Sequence, residues 1–135
     1  MAFDFRRITV DTSALIAMHF KEPGHELLFE KVSRAEDVLI PAPVMLEAAI
    51  VLSQRFPVDP RPALTRDLNT IRAQIIAVTE THSEIAIQAF LKYGKGRHPA
   101  RLNFGDCLTY AVASLAGLPL LYTGDDFAKT DIEAA

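Results

Sequence analysis

Residues 8–20 read ITVDTSALIAMHF, and the character of the chain changes at Asp11. Ile8 to Val10 is a short run dominated by β-branched residues, which suit a pleated strand. Thr12 and Ser13 are residues that open helices, and the apolar Ala14 to Phe20 follows them. Strand, turn and helix succeed one another here, with a carboxylate at the point where the strand ends.

The same grammar continues outward. Pro23 and Gly24 break the first helix, and His25 to Ala35 resumes with Leu27, Leu28 and Val32 at helical spacing. Val38 to Ile40 is a candidate second strand. Pro41 and Pro43 sit where the first turn of a helix tolerates proline, and Val44 to Gln54 follows as a strongly apolar helix ended by Pro57 to Pro62. Leu64 to Gln74 reads as a more polar helix, Ile75 to Val78 as a third strand, and Thr81 to Tyr93 as a helix with Thr81 and Glu84 as its capping box. After a loop over Gly94 to Asn103, Phe104 to Ala116 is helical. Gly117 and Pro119 stop it, and Leu120 to Thr123 is a fourth strand leading into Gly124-Asp125-Asp126.

Four apolar strands separated by helices predict a parallel sheet covered on both faces, a three-layer α/β/α sandwich. No repeat, Gly/Ser tract or shift in composition divides residues 1–135, so a single domain is expected. The only cysteine is Cys107, which excludes an intramolecular disulfide and fits a reducing compartment. The opening stretch MAFDFRRITVDTSAL carries acids and arginines where an export signal needs an unbroken apolar run, so a cytoplasmic location is expected. From Leu102 to Gly124 Asp106 is the only charged residue, but Asn103, Gly105, Thr109, Ser114, Gly117 and Pro119 interrupt that stretch too often for a membrane span.

A net charge of -3 gives no global case for nucleic-acid binding, so charge has to be read locally. Asp11 follows strand one and Asp125 follows strand four, at the edge of the sheet where ligands of open α/β folds gather. Each alone is also readable as a helix cap or turn residue. Glu47 is harder to explain, because it is the only charge between Asp37 and Arg55 on a helix with almost no polar face. Asp106 repeats that pattern within Phe104 to Ala116, although as a first-turn acid it also suits the helix dipole. Carboxylates held at apolar surfaces require compensation, and no basic neighbour supplies it in the sequence. Hard divalent cations take oxygen ligands, often one or two carboxylates with water and phosphate completing the shell.

The segment Lys92 to Arg101 carries Lys92, Lys95, Arg97 and Arg101 with no acid, and reads either as a set of phosphate contacts or as a solvated loop. His19, His25, His82 and His98 lack metal-ligand spacing and read as structural or surface residues, and Cys107 as core. Tyr110 and Phe104 are explained by helix packing more cheaply than by base stacking.

Taken together, VDTSAL, the lone Glu47 in VMLEAAI, LNFGDCLTYAVA around Asp106 and LLYTGDDF resemble the PIN-domain ribonucleases, and more closely the VapC toxins of type II toxin–antitoxin pairs. The basic stretch GKGRHPARLNFGDC strengthens the VapC likeness. The resemblance implies an endoribonuclease in which Asp11, Glu47, Asp106 and Asp125 surround one or two Mg²⁺ or Mn²⁺ ions, with Asp11 and Asp106 as direct ligands. It implies that Ser13 and Thr123 hold a carboxylate or water in place, and that Lys95, Arg97 and Arg101 contact RNA. The T-x-D spacing favours Asp125 over the adjacent Asp126 as fourth acid. A metal-activated water would hydrolyse the phosphodiester, leaving a 5′-phosphate and a 3′-hydroxyl. A small VapB-like antitoxin crossing the active-site groove, and a homodimer, are the implied partners.

Two rivals differ in kind. A dehalogenase-type phosphatase also places an aspartate after strand one but needs a second aspartate two residues later, where this chain has Ser13. A receiver-like module would bind the cation and cleave nothing. The RNA target is not encoded in these motifs.

Overall fold

The computed structural model describes residues 6–135; the first five residues of the opening stretch read above against an export signal lie outside it. The elements in order are β1 (Arg7–Val10), α1 (Thr12–His19), α2 (His25–Arg34), β2 (Asp37–Pro41), α3 (Ala42–Arg55), α4 (Arg61–Thr70), β3 (Ala73–Ile76), α5 (Glu80–Tyr93), α6 (Phe104–Ala116) and β4 (Leu120–Leu121). The strands form one parallel sheet in the order β3-β2-β1-β4, with Ile8 opposite Val38, Val38 opposite Ala73 and Val10 opposite Leu121. The predicted α/β/α sandwich is therefore the observed architecture.

Both faces of the sheet are covered. Ile8, Val10, Val38, Ile40 and Leu121 join a core with residues of α1 to α4, whereas Leu120 joins a second core with α5, α6 and Phe127. Consecutive residues of β4 thus feed opposite layers, as the two-residue period of a strand requires. The chain leaves β1 toward β2 on one side and returns as β4 on the other. The switch in strand order therefore falls between β1 and β4, the place where ligands of open α/β sheets bind.

Three local expectations shift. The third strand begins at Ala73 rather than Ile75, because Arg72 adopts a left-handed backbone (φ 57°) that ends α4 early, and its guanidinium donates to the Ala35 carbonyl at 3.0 Å. The capping box of α5 is Thr79 with His82, whose Nδ1 accepts the Thr79 N–H at 3.0 Å, and not Thr81 with Glu84. A 3-10 turn at Phe127–Lys129 and a returning segment were not foreseen. That segment pairs with β4, the Leu120 N–H donating to Glu133 O at 2.8 Å and the Ala135 N–H to Leu120 O at 2.9 Å. It shields what would otherwise be an open sheet edge.

The apolar helices are also less enclosed than their composition implies. On α3, Val44, Ala48 and Leu52 are buried but Leu46 and Ile50 face outward. On α6, Phe104 is 83% exposed, so packing does not account for it. No helix among the described residues is long and apolar enough to cross a membrane.

Candidate active site

Asp11 leaves the central strand with its N–H donated to Leu121 O at 2.9 Å, which fixes its backbone against β4. It is both the N-cap of α1 and a buried acid, only 5% exposed. Its Oδ2 accepts the Ser13 N–H at 3.0 Å and the Ser13 hydroxyl at 2.6 Å, while Ser13 Oγ in turn accepts the Thr123 N–H at 3.0 Å. One serine hydroxyl therefore orients the first acid and ties the ends of β1 and β4 together. Burial raises the Asp11 pKa, and the bonds from Ser13 and the Thr12 amide pull against that rise.

Glu47 lies in the second turn of α3 and is half-buried. Its Oε1 accepts the Thr12 hydroxyl at 2.9 Å, so the residue after the first acid steers the second. Burial raises its pKa, Thr12 opposes the rise, and the Asp11 charge adds to it. Asp106 is the third residue of α6. Asn103 Oδ1 accepts the Asp106 N–H at 2.9 Å, and Asp106 Oδ2 accepts the Asn103 N–H at 3.1 Å, a reciprocal cap that fixes the carboxylate at the start of the helix. Burial pushes the Asp106 pKa up to about 6 against the Asn103 bond, and the charges of Asp11, Glu47 and Asp126 raise it further.

Asp11, Glu47 and Asp106 are thus brought together from three elements into one electrostatic neighbourhood. Asp125 and Asp126 both lie exposed in the turn after β4. Asp126, whose carbonyl accepts the Lys129 N–H at 3.3 Å, is the one whose charge registers at Asp106. Thr123 reaches the site through its backbone N–H.

Two residues escaped the sequence reading as site members. Thr12 was read only as a helix opener, yet its hydroxyl holds Glu47. Thr109, one turn beyond Asp106, is 1% exposed; its hydroxyl has no partner at normal hydrogen-bond length among the described residues, but it lies close enough to Asp11 to favour the charged carboxylate. A hydroxyl at i+3 from a lone acid on an apolar helix was the available signal.

Among the described residues no lysine, arginine or histidine pairs with Asp11, Glu47 or Asp106. Three acids, each raised by burial, with Asp11 raising Glu47 and both raising Asp106, and without a cation, form a donor set suited to a hard divalent ion. They are not a closed cage: no three acidic, imidazole or thiol groups among the described residues converge tightly enough to ligate one ion together. That arrangement fits an ion held by one or two carboxylates that retains much of its water, the habit of Mg²⁺ and Mn²⁺.

The basic segment is ordered around a short bridge between Gly94 and Leu102, the Lys95 N–H donating to Leu102 O at 2.9 Å and the Leu102 N–H to Tyr93 O at 3.0 Å. Lys95, Arg97 and Arg101 are exposed on it, and the segment runs directly into the Asn103 cap of α6. The histidines serve structure: His19 meets Asp67 at 2.5 Å, His25 Nδ1 lies 3.0 Å from Glu22 O, His82 caps α5 and His98 Nδ1 accepts the Ala100 N–H at 3.0 Å. Cys107 is buried, with its thiol pushed up to about 11 by burial and by Asp106.

Comparison with known proteins agrees with this geometry. The PIN domain family matches residues 8–133. Ribonuclease VapC36 of Mycobacterium tuberculosis is 42% identical over 125 residues, covering 92% of this chain and 90% of that protein. In fold, the chain resembles the crystal structure of VapC20 of M. tuberculosis, described as a sarcin–ricin loop cleaving toxin, with a TM-score of 0.75 at 20% identity over 95% and 98% of the two chains. It also resembles VapBC2 of Rickettsia felis bound to a fragment of its promoter DNA, with a TM-score of 0.71 at 12% identity over 96% and 97%. Spanning nearly the whole of its relatives, the chain belongs to the PIN-domain family and, within it, to the VapC ribonucleases.

Proposed function

We propose that this VapC ribonuclease hydrolyses RNA phosphodiesters with Mg²⁺ or Mn²⁺ held by Asp11 and Asp106, with Glu47 and the turn acid Asp125 acting through water. The observation that carries this reading is the cluster of three carboxylates without a basic partner at the switch between β1 and β4. A bound cation supplies neutralising charge at the phosphate and a water of lowered pKa. Glu47, steered by Thr12, orients the attacking water. Attack breaks the bond from phosphorus to the 3′ oxygen, which leaves as a 3′-hydroxyl while the 5′ side keeps the phosphate. Lys95, Arg97 and Arg101 hold the RNA backbone on the approach to α6.

The partner is a VapB-like antitoxin. A groove of about 390 Å³ between α5 and α6, lined by Ala86, Ile87, Phe90, Phe104, Cys107 and Leu108, suits an apolar segment of such a protein. The outward Leu46 and Ile50 of α3 suit a second copy of the chain, making a homodimer. The decisive experiment is incubation of purified RNA with the protein and Mg²⁺ or Mn²⁺. Cleavage that leaves 5′-phosphate ends and stops with EDTA supports the proposal, whereas cleavage indifferent to EDTA, or cyclic phosphate ends, overturns it. Binding of the cation without cleavage would favour the receiver-like reading.

A further inference from the structure

Glu47 does not occupy open solvent beside the other acids; it is seated against the bare Cα of Gly105. A Cβ built at Gly105 would lie 2.1 Å from Glu47 Oε2, 2.6 Å from Cδ and 2.8 Å from Oε1, the three nearest heavy atoms outside its own chain neighbours and helix backbone. The other side of the same carboxylate is fixed by the Thr12 hydroxyl, 2.9 Å from Oε1. The carboxylate therefore sits between a hydroxyl on α1 and a missing side chain on α6.

Nothing in the backbone demands glycine at this position. Gly105 is absent from the glycines with positive φ, which are Gly24, Gly96, Gly117 and Gly124. It lies in the first turn of α6, where glycine is a poorer helix former than alanine. The feature that glycine alone provides is the space that Glu47 fills. Outside its own helix, a methyl group there meets first the far end of a rotatable side chain, so the helix can accept it and the carboxylate must leave.

We infer that Gly105 is a positioning residue for Glu47: its missing side chain is the seat that lets Glu47 share a site with Asp11 and Asp106. The inference rests on the proposed role of these acids in holding the cation. It goes beyond that role by assigning the placement of one acid to a residue that carries no chemistry. Filling the seat removes Glu47 from the site without altering any charge.

The test is a double-mutant cycle on the purified full chain. It reads RNA cleavage, the midpoint of an isothermal Mn²⁺ titration, and the melting temperature in EDTA. Gly105→Ala is expected to lower kcat at least tenfold with KM little changed, to raise the Mn²⁺ midpoint severalfold, and to leave the melting temperature in EDTA unchanged or higher. In a Glu47→Ala background the same change is expected to have no further effect on kcat or on the Mn²⁺ midpoint, because no carboxylate remains to be displaced. In a Glu47→Asp background, where the shorter side chain draws back from the added methyl, its penalty is expected to shrink. Equal losses from Gly105→Ala with and without Glu47, or an unaltered kcat and Mn²⁺ midpoint in the single variant, would overturn the inference. A lower melting temperature in EDTA together with equal losses in both backgrounds would assign Gly105 to helix packing instead. If Glu47→Ala alone leaves both cleavage and Mn²⁺ binding intact, the role given to Glu47 fails. The collision remains separately testable by a crystal structure of Gly105→Ala: a displaced Glu47 side chain upholds the seat and an unmoved one removes it.

Discussion

The turn around Asp59 and the edge around Asp106 hold the same chemical group in opposite conditions. Asp59 is exposed and paired with Arg61, whose Nη2 lies 2.7 Å from Oδ2, and the bonds from Arg61 hold its carboxyl down to about 2. Asp106 is half-buried, has like charges for neighbours and is pushed up to about 6. Elsewhere Arg7 pairs with Asp37, Arg34 with Glu30 and His19 with Asp67, while the Tyr110 hydroxyl donates to Asp131. Acids that hold the fold together are given a partner by the chain. Those at the switch between β1 and β4 are left for a partner from outside, and a stability deficit there is the usual mark of a functional site.

The severest way to break that contrast is to neutralise the site. Asp11→Asn or Asp106→Asn should lower RNA cleavage by about 100-fold or more, the scale on which preorganised charge acts in catalysis. Melting in EDTA should be unchanged or improved, because a poorly compensated buried charge is removed. A full-strength nuclease, or a large loss of stability, would refute the distinction. Neutralising Asp125 and Asp126 singly sharpens it next. The variant that belongs to the site should reduce cleavage by about tenfold or more and weaken Mn²⁺ binding, and the other should change neither; the T-x-D spacing favours Asp125, the field at Asp106 favours Asp126.

The basic segment carries a smaller effect. Replacing Lys95, Arg97 and Arg101 together by glutamine should raise KM for RNA several-fold with kcat little altered. The salt dependence of binding should flatten by about two units of log–log slope, at roughly 0.7 per single-strand phosphate contact. An unchanged slope would return these residues to an ordinary solvated loop. The mildest test uses pH. Asp106 has a folded pKa of about 6 against a reference value of 3.8. The folded chain then binds its proton more tightly, and this group subtracts stability as pH rises from about 4 through 6. Without divalent cation the protein should melt several degrees lower at pH 7.5 than at pH 5, and Asp106→Asn should reduce the difference. Asp59 has the opposite sign: its depressed pKa adds stability above about 4, which is lost only as pH falls toward 2. Asp59→Asn should therefore leave the slope between pH 5 and 7.5 alone.

The sheet, its parallel sense and the helix over Phe104–Ala116 were legible because strand and helix runs alternate cleanly and each is punctuated by Pro, Gly or a capping residue. The third strand was misplaced because Arg72 ends α4 in a left-handed conformation that propensity does not foretell. The cap of α5 was misread because T-x-x-E and T-x-x-H overlap within Thr79 to Glu84, and a histidine accepting a backbone N–H is the rarer choice. Within the site, Glu47 and Asp106 stood out as lone charges in apolar helices, and Asp11 and Asp125 as acids at the ends of strands. Thr12, Thr109 and Gly105 did not, since their parts depend on contacts between residues far apart in the chain, such as the 35-residue step from Thr12 to Glu47.

The pairing of β1 with β4 has a consequence for synthesis. Asp11 is made early, but its N–H is held by Leu121 and its orienting serine by Thr123. Contacts so distant along a chain form late, after the entropy of closing a long loop has been overcome. During synthesis, the edge that carries Asp11 has no far wall until β4 has emerged. A chain stopped short of Leu121 would hold Asp11 and Ser13 without the strand that fixes them.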